Sequence, residues 1–272
     1  MPLTLQYRGE TSVPVEIEGL TPEVVRDKPI AETEKFEIFH GNRKLPLAEF
    51  FDLSGDPADG EMIFQGDLSG VHWIGAHMSE GTVRVEGDAG RHIGSEMTGG
   101  EIHISGNAGD WVGGEMHGGL IHVRGNAGHL IGAAYRGSAR GMTGGTLLVG
   151  GNAGNEIGHT MRRGMVVIGG SIGDVAGMNM LAGTVLTFGE AGIRHGAGMR
   201  RGTIGLLGPD PPPMLPTFRR ACRYRPEMLA VVFAQLAQLD FDVPERVRSG
   251  MVDLYNGDLL EGGRGEILTM AS

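Results

Sequence analysis

With 49 glycines among 272 residues, the chain has more than twice the usual glycine share of about 7%, yet 40% of it is hydrophobic and no three-residue glycine period exists, which excludes a disordered or collagen-like chain. The net charge of −10 disfavours nucleic-acid binding, and no apolar run reaches the roughly 18 residues a membrane span needs. The single cysteine, Cys222, excludes an internal disulfide or a multi-cysteine metal site, and Met1-Pro2-Leu3-Thr4 has no secretory n-region, so a cytoplasmic protein is expected.

In chain order, residues 1–59 predict a small strand-rich cap, with strands at Leu3-Thr4-Leu5-Gln6-Tyr7 and Val13-Pro14-Val15-Glu16-Ile17. From Gly60 an irregular unit leads through Gly66-Asp67-Leu68-Ser69-Gly70 to Ile74-Gly75. A repeat follows. Met78, Met97 and Met116 stand 19 residues apart; after a gap of 26, the step of 19 resumes at Met142, Met161, Met180 and Met199. Val83, Ile102, Ile121, Leu147, Val166, Val185 and Ile204 keep the same phase, and so does a column two residues later that starts at Val85 and Ile104. Gly94, Gly113, Gly132 and Gly158 form another, each preceded by an apolar residue.

Apolar β-branched residues two apart signal a strand with one buried face, and the glycines on either side supply turns and forbid a long helix. A unit of 19 residues is too short for a helix pair or a propeller blade. It is also not a multiple of six, which disfavours a left-handed hexapeptide coil. The expectation is therefore a mainly β fold: a right-handed parallel β-helix of about seven to eight 19-residue coils over residues 60–208. Pro209-Asp210-Pro211-Pro212-Pro213 stops the repeat, and residues 209–272 predict a C-terminal helical cap. In it, Pro226 to Leu239 reads as a helix with Leu229, Val232, Phe233 and Leu236 on one face.

Motifs for chemistry are sparse. Gly106-Asn107-Ala108-Gly109, Gly125-Asn126-Ala127-Gly128 and Gly151-Asn152-Ala153-Gly154 resemble phosphate loops, but no lysine follows Lys44, and the tetrads recur at the coil period. Their asparagines read as caps on stacked turns. His103 and His122 share an outward column without a carboxylate or a third histidine, so no metal site is expected. Cys222 lies among arginines but has no identifiable partner histidine, and no catalytic residue is assigned.

The surfaces are more telling. The outward column Arg84, His103, His122 turns apolar at Leu148, Val167 and Leu186, and the next one reaches Phe188. Such a face needs a cover, either the chain's own C-terminal helix or another subunit. Tyr135 and Arg136, in a seven-residue insertion, are further candidates for a partner interface. Charge segregates too: residues 60–132 hold 3 basic and 9 acidic groups, whereas residues 133–208 hold 7 arginines against 3 acids. Arg162-Arg163 and Arg200-Arg201 share column positions two coils apart, with Arg194 near that end. Arginine's planar fork suits carboxylates, so these five are candidates for holding an acidic chain.

The glycine rhythm resembles the C-terminal β-helix of glutamate synthase. Together with Phe39-His40-Gly41-Asn42-Arg43, Phe50-Phe51-Asp52-Leu53-Ser54-Gly55 and Asp258 through Ile267, it is more similar to the C subunit of formylmethanofuran dehydrogenase and of the bacterial formyltransferase/hydrolase complex. The resemblance implies a non-catalytic scaffold in one-carbon metabolism. Its partners would be the amidohydrolase-like A, the B and the formyltransferase D subunits of the same complex. That complex would pass a formyl group from formyl-tetrahydromethanopterin to a furan coenzyme of the methanofuran or methylofuran type and release formate. The coenzyme's polyglutamate tail is a candidate ligand for Arg162, Arg163, Arg194, Arg200 and Arg201. The C subunit of a tungsten or molybdenum dehydrogenase and a glutamate synthase-like domain remain the alternatives.

Overall fold

The repeat columns become strand registers in the structure, a computed structural model that describes residues 1–9 and 11–271. The strands, in chain order, are β1 (Leu3–Tyr7), β2 (Val15–Glu16), β3 (Glu37–His40), β4 (Arg43–Pro46), β5 (Phe51–Ser54), β6 (Glu61–Gln65), β7 (Val71–His72), β8 (Thr82–Glu86) and β9 (Glu101–Ile104). They continue with β10 (Leu120–Val123), β11 (Thr146–Val149), β12 (Met165–Ile168), β13 (Thr184–Thr187), β14 (Arg201–Leu206), β15 (Arg219–Tyr224), β16 (Val252–Gly257) and β17 (Arg264–Met270). The helices are short: α1 (Pro22–Val25), α2 (Ile30–Thr33), α3 (Glu227–Gln238) and α4 (Glu245–Ser249). The protein is thus mainly β, with a large parallel-rich sheet and few helices.

A sheet of 13 strands runs β15-β16-β17-β14-β13-β12-β11-β10-β9-β8-β6-β1-β5. From β8 to β14 every pairing is parallel, and like meets like: Val83 pairs with Ile102, Ile121 with Leu147, Val185 with Ile204. A second line of parallel bridges joins Leu68, Ala89, Ala108 and Ala127, and resumes from Ala153 through Ile172 to Ala191. A third line of amides binds Gly94 to Ile74 O (2.9 Å), Gly113 to Ile93 O (2.8 Å) and Gly132 to Val112 O (2.9 Å). Successive repeats are therefore joined along three hydrogen-bonded lines.

The Met-x-x-Gly step follows from packing. Gly119 sits at φ +87°, and a Cβ there would lie 2.7 Å from Met97 Cε and 2.6 Å from Gly100 O. The methionines of this column are fully buried, so each thioether fills the space that the next repeat's glycine leaves open. The asparagines act as turn staples: Asn107 Oδ1 accepts from Asn126 N (2.9 Å), and Asn126 Oδ1 accepts from Asn152 N (2.8 Å).

Both ends of the sheet are closed by flanking strands. At the N-terminal end β1 adds in parallel to β6 and antiparallel to β5, while β2 joins a four-stranded sheet β4-β3-β2-β7. At the other end β17 pairs in parallel with β14, placing Ile267 beside Ile204, and β16 and β15 follow antiparallel. The expected helical C-terminal cap is corrected here: it contains three strands as well as α3 and α4, because the ladder groups of β14 need a strand partner. Helix α3 matches its expected span and buries Leu229, Phe233 and Leu236.

Candidate functional site

The apolar outward strip lies beneath the chain's own C-terminal segment. Leu148, Val167 and Leu186 are fully buried and Phe188 is 2% exposed, packed with Leu229, Phe233, Leu236, Phe241 and Val243. The Arg246 guanidinium donates to Leu207 O (2.9 Å) and to Phe188 O, and Arg124 pairs with the Asp240 carboxylate (2.8 Å). As interface residues these four are corrected: their cover is intramolecular, and they present no surface to another subunit. His122 shares that cover. It packs against Phe241 (centroids 5.9 Å), and burial, with Arg124 and His103 adding to it, pushes its pKa down to about 4. His103 instead turns to Glu101 (3.0 Å). Among the described residues no group of three or more His, Cys, Asp or Glu gathers at metal-binding range.

The arginines do converge. Arg162 and Arg163 follow the buried Met161, and Arg200 and Arg201 follow the buried Met199; all four are exposed. With Arg264 they line a surface groove of about 430 Å³ beside Leu181 and Ala182, which occupy the intervening repeat. The pairs stand two strand spacings apart, about 10 Å. Arg140 extends the charge along a neighbouring groove of about 460 Å³ that also contains Arg162, Arg200 and Glu261. Among the described residues, Arg200 alone of these six arginines has a carboxylate partner, Glu261 at 3.2 Å. Arg201 and Arg264 are direct register partners on β14 and β17, a like-charge pair that costs stability unless an anion lies nearby. Arg194 lines neither groove; it belongs to a different corner of the repeat.

That other corner holds residues that the sequence columns passed over. Trp73, His92 and Trp111 occupy one position in three successive repeats, each in the left-handed region at φ 65°, 61° and 64°. Their rings stack, Trp73 on His92 at 4.2 Å and 7°, and Trp111 on Tyr135 at 4.6 Å and 20°. Tyr135 reaches back from the insertion; its hydroxyl lies 2.9 Å from His92 Nδ1 and 2.7 Å from Ser95 Oγ, and its backbone N–H donates to Glu115 (2.8 Å). Burial pushes the Tyr135 phenol up to about 12 and, with the charges of His72 and Arg91, the His92 imidazole down to about 4. Both are neutral at pH 7. Arg136, the next residue, is exposed and lies outside the ring cluster. The signal that would have revealed this cluster was the residue before each apolar column member, at a step of 19 from Trp73 to Trp111.

No family model matches the chain. A solved structure does: a chain in the crystal structure of the formyltransferase/hydrolase complex from Methylorubrum extorquens, determined with methylofuran, superposes with a TM-score of 0.91 at 32% identity over 99% of this chain and 100% of that one. The chain belongs to the family of C subunits of such complexes. Within the family, the C subunit of the tungsten-containing formylmethanofuran dehydrogenase 2 of Methanothermobacter thermautotrophicus is 38% identical over 95 residues, 34% of this chain and 35% of the relative. The C subunit of the Methylorubrum extorquens formyltransferase/hydrolase complex is 35% identical over 90 residues, 33% of this chain and 34% of that one. These matches to curated relatives thus span about a third of either partner. No helix among the described residues is long and apolar enough to cross a membrane.

Proposed function

We propose that the chain is the non-catalytic scaffold subunit of a formyltransferase/hydrolase complex. The observation that carries this reading is the likeness to one chain of such a complex along the full length of both. In this reading residues 60–208 wind as a right-handed parallel β-helix between an N-terminal cap, residues 1–59, and a C-terminal cap, residues 209–272. Three parallel ladders stepping by 19 residues support the winding, and the general hand of parallel crossovers supports its sense. The side chains with the most displaced histidine pKa values, His92 and His122, are absorbed in ring packing, which favours presentation of surfaces over chemistry. The amidohydrolase-like A, the B and the formyltransferase D subunits would carry out the reactions in the cytoplasm. The tungsten dehydrogenase relatives, at 38% identity, support the C subunit of a formylmethanofuran dehydrogenase as a second reading.

The arginine groove fits the furan coenzyme's polyglutamate tail: among the described residues five of its six arginines make no ion pair, and they are spaced along successive repeats. Affinity purification of the tagged full chain from its source cells tests the scaffold reading. Co-elution of a formyltransferase and an amidohydrolase-like subunit is expected. Molybdopterin and iron–sulfur subunits instead would establish the second reading, and a chain that elutes alone refutes both. Titration with a hexaglutamate peptide tests the groove. Changing Arg162, Arg163, Arg200 and Arg201 to Ala should weaken binding at least tenfold, and added salt should weaken the wild-type interaction. Unchanged binding in the quadruple variant removes the groove from the proposal.

A further inference from the structure

The aromatic corner is acidic where the arginine groove is basic, and the two meet at Glu115, which lines a surface pocket with Arg140, Arg162 and Arg163. Trp73, His92, Trp111 and Tyr135 all stay half-buried although each packs against at least two other rings. Both tryptophans of the chain are here. The left-handed position that they occupy is a property of the fold, since Leu130, Glu156, Val175 and Arg194 adopt it in later repeats. The choice of three flat rings in succession is not, because any side chain able to bear the strain could stand there.

Carboxylates surround the rings. Glu115 holds the Tyr135 backbone, and Glu18 and Glu96 both approach His77, at 2.8 Å and 3.9 Å. Glu18, Glu96 and Glu115 all act electrostatically on the Tyr135 phenol, so they share one neighbourhood. Among the described residues none of the three pairs with an arginine or lysine; the nearby Arg91 is engaged by Asp110 at 3.6 Å. Partly exposed rings beside carboxylates that make no ion pair with arginine or lysine suit a guanidinium best, since it packs on aromatic rings and donates in a fork to carboxylates.

We propose that this corner is the docking site for an arginine-bearing segment of a partner subunit, with the guanidinium seated on the Trp73–Trp111–Tyr135 rings between Glu18 and Glu96. The proposal rests on the scaffold reading and gives the insertion a purpose, which is to deliver Tyr135 and complete the platform. Charge complementarity selects the partner, because residues 60–132 carry 9 acids against 3 basic groups and so repel acidic surfaces.

The test compares tagged wild-type chain with Glu96→Arg and with Trp73→Ala/Glu96→Arg in the assembled complex. Glu96→Arg changes a side chain that is 42% exposed and serves if the double variant folds poorly. Wild type should retain its partners through purification, and either variant should lose at least one of them, with retention down tenfold at moderate salt. Full assembly by a correctly melting Glu96→Arg chain overturns the proposal. So does light scattering that shows a wild-type homodimer broken by the variant, since a second copy would then occupy the corner. A wild-type chain without partners overturns the scaffold reading itself, an outcome distinct from both.

Discussion

The two halves of the repeat are built on the same backbone and finished differently. In the half before the insertion the outward column is polar at Arg84 and His103, and the left-handed corner carries Trp73, His92 and Trp111. Beyond it the outward column is Leu148, Val167 and Leu186 under α3, and the corner carries Glu156, Val175 and Arg194. Inward positions hardly vary, because each must fill the space between one buried methionine and the next. The contrast teaches that ladder and core fix the scaffold, whereas corners and outward columns are free to carry recognition. His122 marks the boundary: it pairs in register with His103 on one side and Leu148 on the other, and the C-terminal cover begins on it.

The largest way to break this contrast is to lift the cover. Phe233 packs its ring against Phe188 at 6.3 Å, and Phe233→Ala should destabilise the later half by about 3 kcal/mol or more. Because repeats couple mainly to neighbours, amide exchange should accelerate in β11 to β14 and stay near wild-type rates in β8 and β9. Trp111→Ala, at a half-exposed corner, should cost only about 1–2 kcal/mol. If both changes melt both halves equally, the halves are one cooperative unit.

Next in size is acid sensitivity. His122 titrates near 4 when folded and near 6.5 when unfolded. Between those values the unfolded chain binds the extra proton, so stability is full above about pH 6.5 and falls as pH drops toward 4. His103, Arg124 and Asp240 are the charged or titratable groups that bear on it, and only Asp240 opposes the shift. The penalty for so buried a ring is on the order of 2 kcal/mol. His122→Leu extends the apolar column by one member and should flatten this part of the profile, leaving the shares due to His72, His92 and His195, whose pKa values are displaced the same way. An unchanged difference between pH 7 and pH 4.5 in chemical denaturation of the variant would show that the cover does not reach His122.

The parallel ladders were legible because they are periodic: Met78 to Met199 announces both the step and the buried face, and α3 follows from Leu229, Phe233 and Leu236. What periodicity misses is whatever occurs once. β17 continues the ladder but carries no methionine–glycine step of its own, so Ile267 gave no hint that it would sit beside Ile204, nor Arg264 that it would join Arg201. Arg140 and Tyr135 lie in the insertion, where register is lost, and only the folded chain shows one at the groove and the other on Trp111. The apolar strip was visible, but which element covers it was not, since Phe188 is equally suited to a helix of this chain or of a neighbour.

The smallest effect is expected where the halves are most alike. The asparagine staple crosses the insertion: Asn126 Oδ1 accepts from Asn152 N, 26 residues on, at 2.8 Å, and Asn152 Oδ1 accepts from Ser171 N, 19 residues on, at the same distance. Each bond caps a partly solvated turn, so losing one should cost about 1 kcal/mol. Asn126 Nδ2 also donates to Asn107 Oδ1 at 3.1 Å, so Asn126→Ala should cost at most about 1 kcal/mol more than Asn152→Ala, with faster amide exchange confined to Asn152 in the first and Ser171 in the second. A loss in Asn126→Ala larger than its second hydrogen bond explains would mean that the insertion strains the ladder and that the staple there holds the two halves together, which would make the boundary between them a mechanical joint as well as a change of surface.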